Sequence, residues 1–128
     1  MTFLRLINSS TRRRLEACHP QAAGEIANLE RVLDETSLDR GLLELCADYF
    51  DTTLAGHTWR APSALGDLET ACLEVCEQFR ISVSDLRDEH IEPLRRHLNA
   101  DDLYNLMSAI YLIEMSRRLD LTLERVLS

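Results

Sequence analysis

The chain has 128 residues, 45% of them hydrophobic and 28% charged, which is the size and composition of one globular domain with a real core. A formal net charge of −8 excludes the basic surface that phosphate contact requires, so no nucleic-acid partner is expected. No apolar run approaches the ~20 residues of a membrane span, and residues 1–7 lack the pattern of a signal peptide. A cytoplasmic, reducing location with free thiols at Cys18, Cys46, Cys72 and Cys76 is therefore expected.

Only four Gly and three Pro punctuate the chain, and β-branched runs are short, which favours an all-α fold of six to seven short helices in a single domain, 1–128. Residues 1–21 hold Leu4, Leu6, Ile7 and Leu15, which suit a short helix or an arm lying on a neighbouring subunit, with Ser9–Ser10–Thr11 as cap. Arg12–Arg13–Arg14 reads as a solvated helix face. Pro20 can open a helix over about Gln21–Leu33, whose face carries Ile26, Leu29 and Leu33. Thr36–Ser37 can cap a third helix, about Leu38–Leu54, with a stripe of Leu42, Leu45, Cys46, Tyr49, Phe50 and Leu54. Gly56 fits the left-handed position after it. A loop over 57–63 holds the only Trp, Trp59.

The next helix, Gly66–Phe79, has the clearest period: Leu65, Leu68, Cys72, Val75 and Phe79 alternate three and four apart. A short helix ending at Leu98 should start late or bend, because Pro93 is tolerated best in a first turn. Asn99 caps the last main helix, Leu103–Leu119, which buries Leu103, Leu106, Met107, Ile110 and Ile113. Leu121–Leu127 can continue as a last helical piece.

Four stretches carry a family resemblance. The segment 68–79, LETACLEVCEQF, resembles the "ERAALALAEQF" helix of the carboxymuconolactone decarboxylase and alkylhydroperoxidase (AhpD-like) superfamily. The segment 94–103, LRRHLNADDL, resembles its "LREHLSDAEL" junction. The segment 111–119, YLIEMSRRL, resembles its closing helix, and 38–46, LDRGLLELC, its "LDPALLELCRLR" helix. The resemblance implies a compact AhpD-like helical bundle and a homo-oligomer (dimer, trimer or hexamer). Relatives with thiol chemistry carry Glu, then Cys-x-x-Cys twelve residues on, then His. Glu44 fills the glutamate position, but the cysteine positions fall on Gly56 and Trp59 and the histidine position on Ser63. Thiol-peroxidase chemistry at that site is therefore not expected.

The first functional expectation is a divergent small-molecule enzyme using Glu44 as general acid or base, His57 assisting, and Tyr49 and Trp59 lining the substrate site, with neither metal nor cofactor. A lone carboxylate in an apolar pocket suits proton abstraction, decarboxylation or isomerisation, since burial makes it a stronger base. The bland alternative is a solvated Glu44 on an amphipathic helix in a non-catalytic binding or assembly module. A third reading uses Cys72 and Cys76, one helical turn apart, as a redox or metal pair. Its bland counterpart is two small core thiols. His97 suits the C-terminal end of a helix dipole, His90 suits solvent, and Cys18–His19 makes a nucleophile–base pair only if a pocket brings the two together.

Overall fold

The computed structural model describes residues 5–127, all helical apart from connections, with no strand among them. The six helices are α1 (Ser9–Cys18), α2 (Pro20–Glu35), α3 (Arg40–Leu54), α4 (Asp67–Ser82), α5 (Asp88–Arg95) and α6 (Ala100–Leu127), with one 3-10 turn at Val83–Asp85.

Caps explain most of the boundaries. Asn8, rather than Ser9–Thr11, caps α1: its Oδ1 accepts from the Thr11 N–H at 2.8 Å. Pro20 opens α2, as its missing N–H allows. Thr36 closes α2, its hydroxyl donating to the Leu33 carbonyl at 3.1 Å, while Asp39 caps α3 by accepting from the Gly41 N–H at 3.1 Å. Gly56 follows α3 with φ of +89°, a conformation open to glycine and costly for side chains with a Cβ. Glu69 reaches back to accept from the Gly66 N–H at 3.0 Å, fixing the start of α4. Asn99 caps α6, accepting from the Asp102 N–H at 2.8 Å.

Two expectations change. Pro93 sits inside α5, not in its first turn. Its missing N–H leaves the Glu89 carbonyl without an i+4 partner, in a helix of only 8 residues. The two C-terminal pieces are one helix of 28 residues. Asp120, where the two meet, is a buried anchor that accepts from the Asn8 N–H at 3.1 and 3.2 Å.

That anchor also corrects the reading of the N-terminal segment. Leu6 and Ile7 are buried at 1% exposure in this chain's own interior rather than lying on a neighbour; Leu4 falls outside the described residues. Arg117 Nη1 donates to the carbonyls of Arg5 (2.9 Å) and Leu6 (2.6 Å), and its Nε lies 2.6 Å from Asp51. Glu30 of α2 accepts from the Leu6 N–H at 2.7 Å and pairs with Arg12 at 2.6 Å. Arg12 is thus engaged, whereas Arg13 and Arg14 are exposed. An Arg40–Asp34 ion pair ties the start of α3 to α2.

Helices α3, α4 and α6 pack on one another and supply most of the core, α5 closes against α4 and α6, and α1 pairs with α2. Phe50, Val75, Leu94, Leu106, Ile110 and Ile113 are fully buried there, the stripes that helical periodicity selects.

Candidate functional site: a buried thiol cluster

Cys46 lies on the buried stripe of α3, two positions from the exposed Glu44 but on the opposite side of the helix. Cys72 and Cys76 stand one turn apart on the buried face of α4. Because α3 and α4 pack together, the three sulfurs converge: all lie within 4.8 Å of one another. Cys46 Sγ and Cys72 Sγ are 3.3 Å apart, in hydrogen-bond contact. All three residues have 0% exposure and belong to the main core cluster.

The thiols act on one another. Hydrogen bonds from Cys46 and then Cys76 lower the pKa of Cys72 against the opposing effect of burial. Cys46 is pushed up, first through its bond to Cys72, with burial adding to the rise. Cys76 is pushed up as well, first by Cys46 and then by Cys72. Three sulfurs at this spacing offer soft donors for a thiophilic ion, and the shortest pair is placed to form a disulfide.

The residues expected to form a carboxylate site do not assemble into one. Glu44 is exposed, so the apolar pocket expected around it is absent. His57 is exposed too, and its N–H bonds the Thr52 carbonyl at 3.0 Å, eight residues beyond Glu44, about 12 Å along the helix axis. Tyr49 and Trp59 do meet, edge to face with ring centroids 5.7 Å apart. Trp59 Nε1 donates to Asp48 at 2.9 Å, and Arg80 Nε approaches the Tyr49 hydroxyl at 3.4 Å. Beside Tyr49 lies a groove of about 230 Å³ lined by Leu65, Thr70, Leu73, Glu74 and Glu77; neither Glu44 nor His57 borders it.

Cys18 and His19 are both exposed at the α1–α2 junction. His90 is half-buried, not solvated: its Nδ1 accepts from the Arg87 N–H at 2.9 Å, capping α5. His97 is exposed just beyond the end of α5.

Sequence pattern singles out Cys72 and Cys76 but gives no reason to join Cys46 to them across 26 residues. The available signal was positional: Cys46 and Cys72 fall on stripes expected to be buried, and Cys76 stands one turn from Cys72. Set against family models, curated proteins and solved structures, the chain matches none of them.

Proposed function

We propose that this protein is a helical thiol protein that binds a soft, thiophilic ion through Cys46, Cys72 and Cys76. The observation that carries the reading is the convergence of three fully buried sulfurs from two helices within 4.8 Å. Thiolate donors favour soft ions, and the surrounding core excludes water that would compete for them. The test is titration of reduced full-length protein with Cu(I), Hg(II) and arsenous acid, followed by sulfur-to-ion charge-transfer absorption. One ion per chain should bind from at least one of the three, and the Cys46→Ala/Cys72→Ala/Cys76→Ala triple variant should lose that binding. Cys18→Ala should keep it. Failure of all three ions to bind the folded chain would overturn the proposal.

A second reading, a reversible Cys46–Cys72 disulfide, is favoured by their 3.3 Å separation. It requires an external oxidant, such as a small-molecule disulfide, to accept two electrons while the thiols release two protons. The carboxylate-enzyme reading built on Glu44 and His57 has weaker support, since both are exposed and stand apart. The groove beside Tyr49 and Trp59 is also smaller than the usual ~300 Å³ lower bound for ligand pockets. On the thiol reading, an AhpD-like helical scaffold has lost the loop thiols of its relatives and carries its sulfur in the core.

A homo-oligomer, specifically a dimer, belongs to the same proposal. Beyond its buried face, α6 presents a second, uncharged face of Tyr104, Met107, Ser108, Tyr111, Leu112 and Met115, with Tyr104 75% exposed. An isologous α6–α6 contact would cover that face on both subunits at once.

A further inference from the structure

The thiol site rests on three donors, and their number and surroundings narrow the ion further. Among the described residues, no other Cys, His, Asp or Glu joins Cys46, Cys72 and Cys76 as a fourth ligand. Structural zinc takes four protein ligands, so three buried sulfurs leave its tetrahedron open in a place sealed from water. All three thiols are fully buried in the main core cluster, and no arginine or histidine belongs to that cluster. Arg80 and Arg117, the partly buried arginines of α4 and α6, are engaged elsewhere, Arg117 with Asp51 and the N-terminal carbonyls, Arg80 towards Tyr49 and Glu77.

Charge then discriminates. Three thiolates around a monovalent ion carry a net charge of −2, and around a divalent ion −1, while around a trivalent ion the complex is neutral. A net charge in an apolar core without a counter-ion is costly, so a neutral complex is preferred. A linear divalent ion reaches neutrality with two sulfurs, but it leaves the third unused and pressed against the first two.

Shape agrees. With Zn–S bonds of about 2.3 Å, tetrahedral coordination holds sulfurs about 3.8 Å apart. Cys46 and Cys72 already stand at 3.3 Å, closer than that. A pyramidal ion, whose lone pair takes the fourth position and whose bonds stand nearer to right angles, suits that shortest pair and needs no fourth donor; the other sulfur pairs lie within 4.8 Å.

We infer that the Cys46–Cys72–Cys76 cluster is a site for a trivalent, lone-pair-bearing thiophile of the arsenite or antimonite class. The inference rests on the soft-ion reading above. Binding is a ligand exchange without change of oxidation state. Three S–H bonds and three As–OH bonds break, three As–S bonds form, and the three thiol protons leave with the hydroxides as three waters. Arsenous acid is uncharged at neutral pH, so the −8 net charge of the chain does not repel it.

The deciding experiment uses reduced full-length protein with sodium arsenite, and separately with Hg(II) and Cu(I), read by charge-transfer absorption, intact mass and X-ray absorption at the arsenic edge. One arsenic per chain is expected, with three sulfurs in its first shell and no oxygen. Cys46→Ala, Cys72→Ala and Cys76→Ala should each weaken arsenite binding by about a hundredfold or more, while Cys18→Ala leaves it unchanged. Circular dichroism of each variant checks folding, and the wild-type absorption edge decides the matter even where a variant unfolds. Binding of Hg(II) or Cu(I) without arsenite, or arsenite held by only two of these sulfurs, would overturn the trivalent assignment and leave the soft-ion site standing. Binding of none of the three would overturn both.

Discussion

Cys46 and Cys72 belong to different helices, 26 positions apart, yet their sulfurs touch at 3.3 Å. Cys72 and Cys76 are sequence neighbours by comparison, but a regular helix holds their Cα atoms in a geometry that fits a disulfide poorly. Mild oxidation with a small-molecule disulfide should therefore produce the Cys46–Cys72 cross-link ahead of any other intramolecular pair. Peptide mapping without reduction would detect it, and a dominant Cys72–Cys76 link would contradict the geometry. The cross-linked protein should no longer bind the ion, because two of the three donors are consumed.

The same contact sets a pH dependence. Hydrogen bonds from Cys46 and Cys76 hold the Cys72 pKa below the ordinary thiol value of 9.0. A folded-state pKa below the unfolded one means that the unfolded chain binds more protons between the two values, so stability rises with pH across that window. The contribution is fully present above 9.0 and is lost as pH falls through the depressed value. Cys46 and Cys76, pushed the other way, oppose it only above 9.0. Urea midpoints measured between neutrality and pH 9 should climb in the wild type. Cys72→Ala should flatten that climb; an unchanged slope would remove Cys72 as its source.

Glu30 is a buried carboxylate, 4% exposed, that holds the N-terminal segment through the Leu6 N–H and pairs with Arg12. Glu30→Ala leaves a guanidinium and a backbone donor without their acceptor. Removing one partner of a buried pair costs about 3 kcal/mol, and Glu30→Gln, which keeps an acceptor but no charge, should cost less. Chemical denaturation of both variants checks the order. Equal stability of wild type and Glu30→Ala would show that the N-terminal segment is held by its apolar contacts alone.

The second face of α6 supplies a test of association. Tyr111 is 50% exposed at the middle of an uncharged strip. Tyr111→Asp introduces a charge that a self-complementary contact would bury twice, so it should convert a dimer to monomers in sedimentation while leaving helicity unchanged. A wild-type chain that sediments as a monomer at all concentrations would contradict the dimer directly.

Much of the architecture is legible residue by residue. The stripe Leu42–Cys46–Tyr49–Phe50, the Leu65–Leu68–Cys72–Val75–Phe79 seam, the left-handed Gly56 and the Asn99 cap are all found as the pattern predicts. These are local facts, because backbone bonds from i to i+4 and a period of 3.6 depend only on near neighbours. A polar residue's distant partner is not written in its local pattern: Asp120 anchors Asn8, 112 positions away. Of the two readings of Glu44, the solvated one fits its exposure, since its place opposite Cys46 on α3 turns it to solvent.

Sequence pattern alone established that this chain is helical, that Pro20, Gly56 and Asn99 mark helix ends, and that Cys46 and Cys72 sit on apolar stripes. Tertiary packing then brought the α3 face with Cys46 against the α4 face with Cys72 and Cys76. Helical periodicity says which side of a helix avoids water, but not which other helix it will meet. That choice is made by the packing of α3 against α4 and α6, a sum of many small contacts that no short stretch of sequence encodes.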